Sequence, residues 1–252
     1  MLRHLGRRTY LHNLRLASLL GLTAGSVNAE GLLGYKVLTT NVTGHVALFS
    51  ESLTFENWNL ARLIFFYMFL FLLGAFLSSL IMSWADARHK FFSYIPIFIE
   101  ISILFLSALN GNSLNLSIST SQAFACTLLF AMGLQNALVT VISGSVVRTT
   151  HLTGTMTDLG VDLSRMIRGK GTSNPAILLS IKLKVYLIFF FVFGAILGGF
   201  LFNRFHFFSF YFPIFILGIT LIFDYTRITV KRKFKTMRIR ARPRYFKNRI
   251  PL

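Results

Sequence analysis

Glu100 is a carboxyl group inside the apolar run Phe91–Ala108. It lies about nine residues, or ~14 Å of helix rise, past the start of that run. If the run crosses a bilayer, this is close to the middle of a ~30 Å hydrocarbon core. A carboxylate at that depth is costly, faces the protein interior, and can hold a proton or a cation. The plainer alternative starts the helix nearer Pro96 and leaves Glu100 one turn in and hydrated. Neutral donors and acceptors accompany it: Asn28, Asn41, Thr43, Gln135, Asn136, Thr149, Thr150 and Thr153. Such groups could coordinate a small solute or ion. They could equally satisfy backbone groups where membrane helices break.

Most of these residues belong to a phrase used twice. Thr39-Thr40-Asn41-Val42-Thr43-Gly44 and Thr149-Thr150-His151-Leu152-Thr153-Gly154 each follow an apolar run with a G-x-x-N step, Gly25 to Asn28 and Gly133 to Asn136. Each opens a short mixed segment, and a long hydrophobic one comes next. Two halves of one design are expected. Gly44 and Gly154 then mark equivalent points where a tight turn or a close helix approach is needed. His45 and His151 sit near the two phrases with no third ligand in view, so no metal site is expected.

The elements that must position these residues are membrane helices. The chain has 252 residues, 54% hydrophobic and 13% charged, with a mean hydropathy of +0.63. That is about half the usual charged share of a soluble domain. The apolar runs reach the ~20 residues that a helix needs to cross a bilayer. Its net charge of +18 is concentrated at the two ends, and after Asp224 the tail holds no acid. Lys and Arg next to a span read as cytoplasmic residues drawn to anionic lipid headgroups, with nucleic acid a poor second reading. The lone Cys126 excludes an internal disulfide. No zinc-protease, nucleophile-elbow, phosphate-loop or dinucleotide motif is present, and no cofactor is implied.

Six full spans are expected: Leu14 to Leu38, Leu63 to Trp84, Phe91 to Ala108, Gln122 to Ile142, Ala176 to Phe202 and Phe207 to Phe223. The first also resembles a signal peptide with Val27-Asn28-Ala29 as its cleavage site, but the same pattern recurs mid-chain, where no signal peptide can stand. Asn41 to Leu53 and Leu152 to Ile167 are too short or too polar to cross. In the second, Asp158, Asp162 and Arg165 share one helical face, as in an interfacial helix with an internal ion pair. If neither short segment crosses, Arg88, Lys90, Arg148, Arg165, Arg168, Lys170 and the tail all fall inside, and the uncharged Asn110 loop falls outside. If both cross, this order breaks, so the positive-inside rule selects six spans with both termini cytoplasmic. The expected organisation is a basic N-terminus (1–13), a first repeat (14–110), an external loop (111–121), a second repeat (122–226) and a basic tail (227–252). Three spans per half turns the second repeat upside down relative to the first. Inverted 3+3 repeats with broken helices are a recurrent transporter plan.

Gly25-Ser-Val-Asn-Ala29 through Asn41-Val-Thr-Gly44, Ala131-Met-Gly-Leu-Gln-Asn-Ala137, and Arg148-Thr-Thr-His-Leu-Thr-Gly-Thr-Met-Thr-Asp-Leu-Gly160 resemble the YoaK-like family of bacterial membrane proteins, a domain of unknown function. The resemblance implies a bacterial inner-membrane location and no established activity. Two positions depart: the family usually has Asp where Asn28 stands and Asn where His45 stands, and Glu30 is the nearby carboxylate that could stand in for the first.

The leading functional expectation is a small-solute or ion transporter, or a channel-like relative, open to homo-oligomerisation. Asn28, Asn41, Thr43, Glu100, Gln135, Asn136 and Thr153 form its expected site, with both T-T-x-x-T-G tips meeting near the midplane within reach of Glu100. A non-transporting assembly or scaffold protein is the second reading, and an intramembrane enzyme the third.

Overall fold

The computed structural model describes residues 10–87, 93–111, 118–143, 149–168 and 175–223, and side chains for most of these. Within them the order is α1 (Tyr10–Tyr35), α2 (Val42–Thr54), α3 (Trp58–Ala87), α4 (Ile95–Asn110), α5 (Ile118–Ser143), α6 (Leu152–Ile167) and α7 (Pro175–Phe205). A 3-10 turn, His206–Phe210, and a last helix, α8 (211–223), follow. No strand occurs among the described residues. The basic ends, Arg88, Lys90, Asn112, Arg148, Gly169, Lys170 and Asp224 lie outside the described residues, so the charge-based expectations for them do too.

Four stretches are long and apolar enough to cross a bilayer: Leu14–Tyr35, Trp58–Trp84, Ile118–Val141 and Pro175–Phe223, the last running through α7, the turn and α8. α4 is apolar but has 16 residues, a rise of ~24 Å. Several long apolar helices make this a membrane protein in character. The outward faces agree: Phe65, Phe66, Phe69, Leu72 and Phe76 on α3, and Phe189, Phe193, Ile196 and Phe200 on α7, are exposed. In water these faces would be an apolar patch far larger than soluble proteins show; in lipid they are ordinary.

α1 and α5 form the centre. Their buried residues include Leu20, Ala24 and Val27 on α1 and Leu128, Leu129, Met132 and Leu134 on α5. They run antiparallel: Leu20 meets Gln135, Gly31 approaches Leu128, and Tyr35 stacks on Phe124. α7 lies parallel to α1, since Gly21, Gly25 and Ser26 meet Leu187, Phe191 and Gly198 in rising order. α3 lies against α5. Each seam closes at a reciprocal glycine pair. A Cβ on Gly25 would collide with the carbonyl oxygen of Phe191, and one on Gly194 with that of Leu22. On the other seam, Gly74 and Gly133 meet the carbonyls of Phe130 and Phe71 in the same way. Without a hydrophobic drive between helices in lipid, small residues that let backbones touch supply the packing.

The short helices pack at the flanks, α2 on α3 and α6 on α7. Residues 41–54 and 151–164 share one burial pattern position by position, with only His45 and Ser52, and Thr155 and Asp162, buried. The sequence repeat is thus matched by repeated packing.

Replacing Gly25 or Gly133 by Leu should sharply lower the thermal midpoint of the purified protein, at a cost of at least the ~1–3 kcal/mol typical of overpacking, because the obstacle is backbone. Gly218→Ala, where no atom lies within 4 Å of the added carbon, should be close to neutral in the same melting assay.

Candidate functional site

α1 ends at a tight reversal. Lys36 takes a left-handed backbone (φ 58°), and the Lys36 and Val37 N–H groups donate to the Leu32 and Gly31 carbonyls; the first bond, from the left-handed residue back four positions, is the αL way of ending a helix. The chain then doubles back along α1. The Thr40 backbone N–H and hydroxyl both donate to Asn28 Oδ1, at 3.1 and 2.9 Å. Asn28 lies about seven residues, ~10 Å, before the end of α1, so the start of α2 is carried that far back down the helix. The second half does the same: the Thr150 N–H donates to Asn136 Oδ1 at 3.4 Å. The G-x-x-N step is therefore a receptor for the T-T step, and the two motifs are halves of one clamp.

The next residues cap the short helices. Asn41 Oδ1 accepts from the Gly44 N–H at 3.0 Å, an N-cap bond. The His45 and Thr155 backbone N–H groups donate to the Asn41 and His151 carbonyls, and so do the His45 Nδ1 (2.7 Å) and the Thr155 hydroxyl (2.9 Å). A Cβ on Gly44 would press into the Asn41 amide, and one on Gly154 into the His151 ring. Each glycine leaves room for the side chain folded over its helix start.

Of the expected site residues, Asn28 and Asn136 are thus joined to Thr40 and Thr150, not to each other. Asn41, Thr43 and Thr153 are exposed. Gln135 is fully buried, and its Nε2 donates to the Leu20 carbonyl at 2.8 Å, tying α5 to α1 at the centre, while its Oε1 has no partner. Glu100 is fully buried with neither oxygen partnered. The helix does begin near Pro96, at Ile95, yet Glu100 is enclosed rather than hydrated.

Sequence reasoning left Glu30 at the margin of the site. It too is fully buried; it accepts from the Ser26 hydroxyl at 3.0 Å through one oxygen, and the other is unpartnered. Its signal was present, as the single acid in the first apolar run. A second omission joins α6 to α7. Asp162 contacts Lys184 Nζ at 2.6 Å, accepts from Ser180 at 2.8 Å, and faces Arg165 at 3.5 Å. Shielding by its neighbours would raise the Asp162 pKa, but the hydrogen bonds from Lys184 and Ser180 and the charges of Lys184 and Arg165 outweigh it and hold the carboxyl below its usual value. The equivalent place in the first half is Ser52, whose hydroxyl bonds its own helix at Leu48.

Among the described residues, no three His, Cys, Asp or Glu side chains converge to hold a metal. An open groove of about 580 Å³ lies over α1 and α7, lined by Leu33, Ala195, Ile196, Gly199, Phe200 and His206 among others. Its walls are largely apolar, and Asn28, Gln135 and Glu100 do not line it.

No curated protein and no solved structure matches the chain. A family model described as "Protein of unknown function (DUF1275)" matches residues 16–223, which take in every element of both halves. The chain belongs to that family, consistent with the YoaK-like resemblance.

Two outcomes are expected from this geometry. Asn28 is used only as an acceptor, so Asn28→Asp should fold and melt close to wild type, whereas Asn28→Leu should strand the Thr40 donors, at a cost on the order of 1–3 kcal/mol each, and expose the 36–41 turn to limited proteolysis. The depressed Asp162 carboxyl stabilises the fold above its usual value of 3.8, and that share is lost as pH falls through the lower folded-state value. An acid melting series should therefore show a component absent from Asp162→Asn, worth roughly 1 kcal/mol or less for a shallow pair.

Proposed function

We propose that this family member is a bacterial inner-membrane transporter or channel-like protein for a small solute or ion, built as two inverted repeats of three crossings with both termini cytoplasmic. The observation that carries this reading is the pair of matched clamps, Asn28–Thr40 and Asn136–Thr150, on central helices that run antiparallel. A unit containing an odd number of crossings, copied once, gives that antiparallel relation; with four crossings per half, α1 and α5 would run parallel. Each clamp draws the start of a short helix back along a central one. Helix N-termini carry free N–H groups and partial positive charge, and broken helices aimed inward are how transporters of this plan present a site.

In this arrangement Gln135 and the two clamps are the fixed elements, Asn41, Thr43 and Thr153 edge the access routes on opposite sides, and Glu100 supplies charge at depth. The basic tail, 227–252, holds anionic headgroups on the cytoplasmic side, each Lys or Arg adding ~1 kcal/mol near the surface. The tight glycine seams favour a second reading, a non-transporting scaffold.

Single cysteines in a Cys126→Ser background separate the two. A membrane-impermeant thiol reagent added outside should label position 56, in the α2–α3 turn, and not position 168, at the end of α6. Labelling of 168 from outside would overturn the six-crossing scheme. Cysteines at Thr43 and Thr153 should exchange protection, one opening to its side as the other closes, when the protein is locked by cross-linking. If each reacts from its own side at an unchanging rate, the scaffold reading stands.

A further inference from the structure

Of the chain's eight acids, Glu51, Glu56 and Asp158 are exposed, Asp162 is ion-paired, and the side chains of Asp86 and Asp224 lie outside the described ones. Glu30 and Glu100 remain; both are fully buried, and three of their four carboxyl oxygens have no partner. They also share a level in the fold. Ser107 of α4 lies beside the Tyr35 hydroxyl of α1, so α4 and α1 can be aligned there. Gly111 and Gly34 both pack on Phe207, which sets the two helix ends together at the same side. Glu30 is then about 7.5 Å of rise below Tyr35 and Glu100 about 10.5 Å below Ser107. The two carboxyl groups therefore sit within a single turn of each other in depth, both below the contact between Tyr35 and Ser107.

Further buried hydroxyls stand near Glu30 and Tyr35. Ser209 of the 3-10 turn lies beside Glu30. The oxygens of Ser209, Tyr35 and Ser107 are all buried and outside hydrogen-bonding geometry with any other group. Unsatisfied buried oxygens are costly, and an unpartnered charge in such surroundings costs far more. A small rotation would let Ser209 donate to Glu30 and Ser107 pair with Tyr35, but among the described residues no cation stands against either carboxyl to offset a buried charge. Tyr35 itself packs on Phe124, Phe207 and Phe210 with ring centroids 5.7, 5.1 and 6.4 Å apart. An aromatic ring set with a carboxylate beneath it suits an organic cation in principle, but these rings touch one another and leave no room for one. A proton needs none.

We infer that Glu30 and Glu100 are two proton-binding sites at one depth of the fold, which makes the proton the ion of the transport reading above. This rests on that reading for its role in transport, though not for the protonation itself. The elements packed around Glu30 offer no cation as a competing partner: α5 brings only Cys126, α7 has no titratable group between Tyr186 and Arg204, and Arg204, His206 and Lys36 are exposed. Around Glu100, among the described residues, α5 again brings only Cys126, α3 brings Tyr67 and an exposed Arg62, and the turn and α8 bring an exposed His206 and Tyr211.

The test uses the full chain in lipid nanodiscs. Infrared spectra at neutral pH should show the carbonyl stretch of protonated carboxyl groups, shifted in heavy water, and Glu30→Gln and Glu100→Gln should each remove part of it. Dicyclohexylcarbodiimide, which modifies protonated carboxyls in apolar surroundings, should label both residues by peptide mass spectrometry, less so at alkaline pH. Because Gln copies the neutral acid, both variants should melt within a few degrees of wild type, which separates loss of the signal from loss of the fold. No protonated-carboxyl band, a band that neither variant alters, or a band that appears only after sodium or potassium is removed would overturn the inference. Proteoliposomes with a trapped pH dye then address transport on its own: wild type should relax an imposed pH gradient several-fold faster than either variant. Bands and labelling with no such flux would keep the proton sites and overturn the transport reading.

Discussion

Backbone contact at four glycines is the constraint on which the other features depend. Gly25 and Gly194 close the α1–α7 seam, and Gly74 and Gly133 the α3–α5 seam, each against a carbonyl oxygen of the facing helix. Only with those seams shut do α1 and α5 sit deep enough to enclose Gln135, Glu30 and Glu100. In lipid, the apolar faces of α3 and α7 gain nothing by turning inward, so sequence hydrophobicity cannot choose which face is buried. Small residues choose it, by allowing van der Waals and weak Cα–H···O contact that larger side chains would prevent.

The second constraint is hydrogen-bond completion. A chain that turns back along its own helix exposes N–H groups that need partners wherever water is excluded. Asn28 and Asn136 satisfy them from the side, through carboxamide oxygens aimed at Thr40 and Thr150. This gives a physical reason for the Asp that the YoaK-like resemblance implies at the position of Asn28: both residues present an acceptor there, and the two Thr40 donors do not distinguish them. The departure therefore need not remove a charged site. The fully enclosed carboxyl on this helix is Glu30, about half a turn further on, where the partner is a serine and not a backbone.

Much of the fold was legible because its signals are periodic or compositional. The all-helical membrane character, the repeated phrase and the positions of the two short helices follow from apolar run lengths and from Gly, Asn and Thr at fixed offsets. Helix ends were less so. α4 begins at Ile95 rather than Phe91, since Pro96 suits a first turn. α7 runs to Phe205, three residues beyond the expected end of its span at Phe202. The candidate site was legible as residue types and not as pairings: that Asn28 would reach twelve residues ahead to Thr40, and Asp162 across to Lys184, depends on how the chain reverses after α1 and α6. Glu30 was visible, but its burial was not, because one face of α1 is sealed by the 3-10 turn far away in sequence.

The two halves differ most where they matter for direction. In the second, Asp162 joins α6 to α7 through Lys184 and Ser180; in the first, the matching Ser52 bonds only its own helix, and His45 stacks edge-on against Tyr67. α2 is held to α3 by packing and α6 to α7 by charge as well. Packing responds weakly to pH and salt, whereas a shallow ion pair responds to both. Two short helices of one design are therefore tied down by different forces on opposite sides of the proposed site. The buried carboxyls Glu30 and Glu100 belong to the purely packed half, on α1 and α4. If the short helices are the moving parts, the barrier to releasing α6 contains an electrostatic term that the barrier to releasing α2 lacks. The two short helices thus differ in what holds them while sharing one glycine-sealed frame.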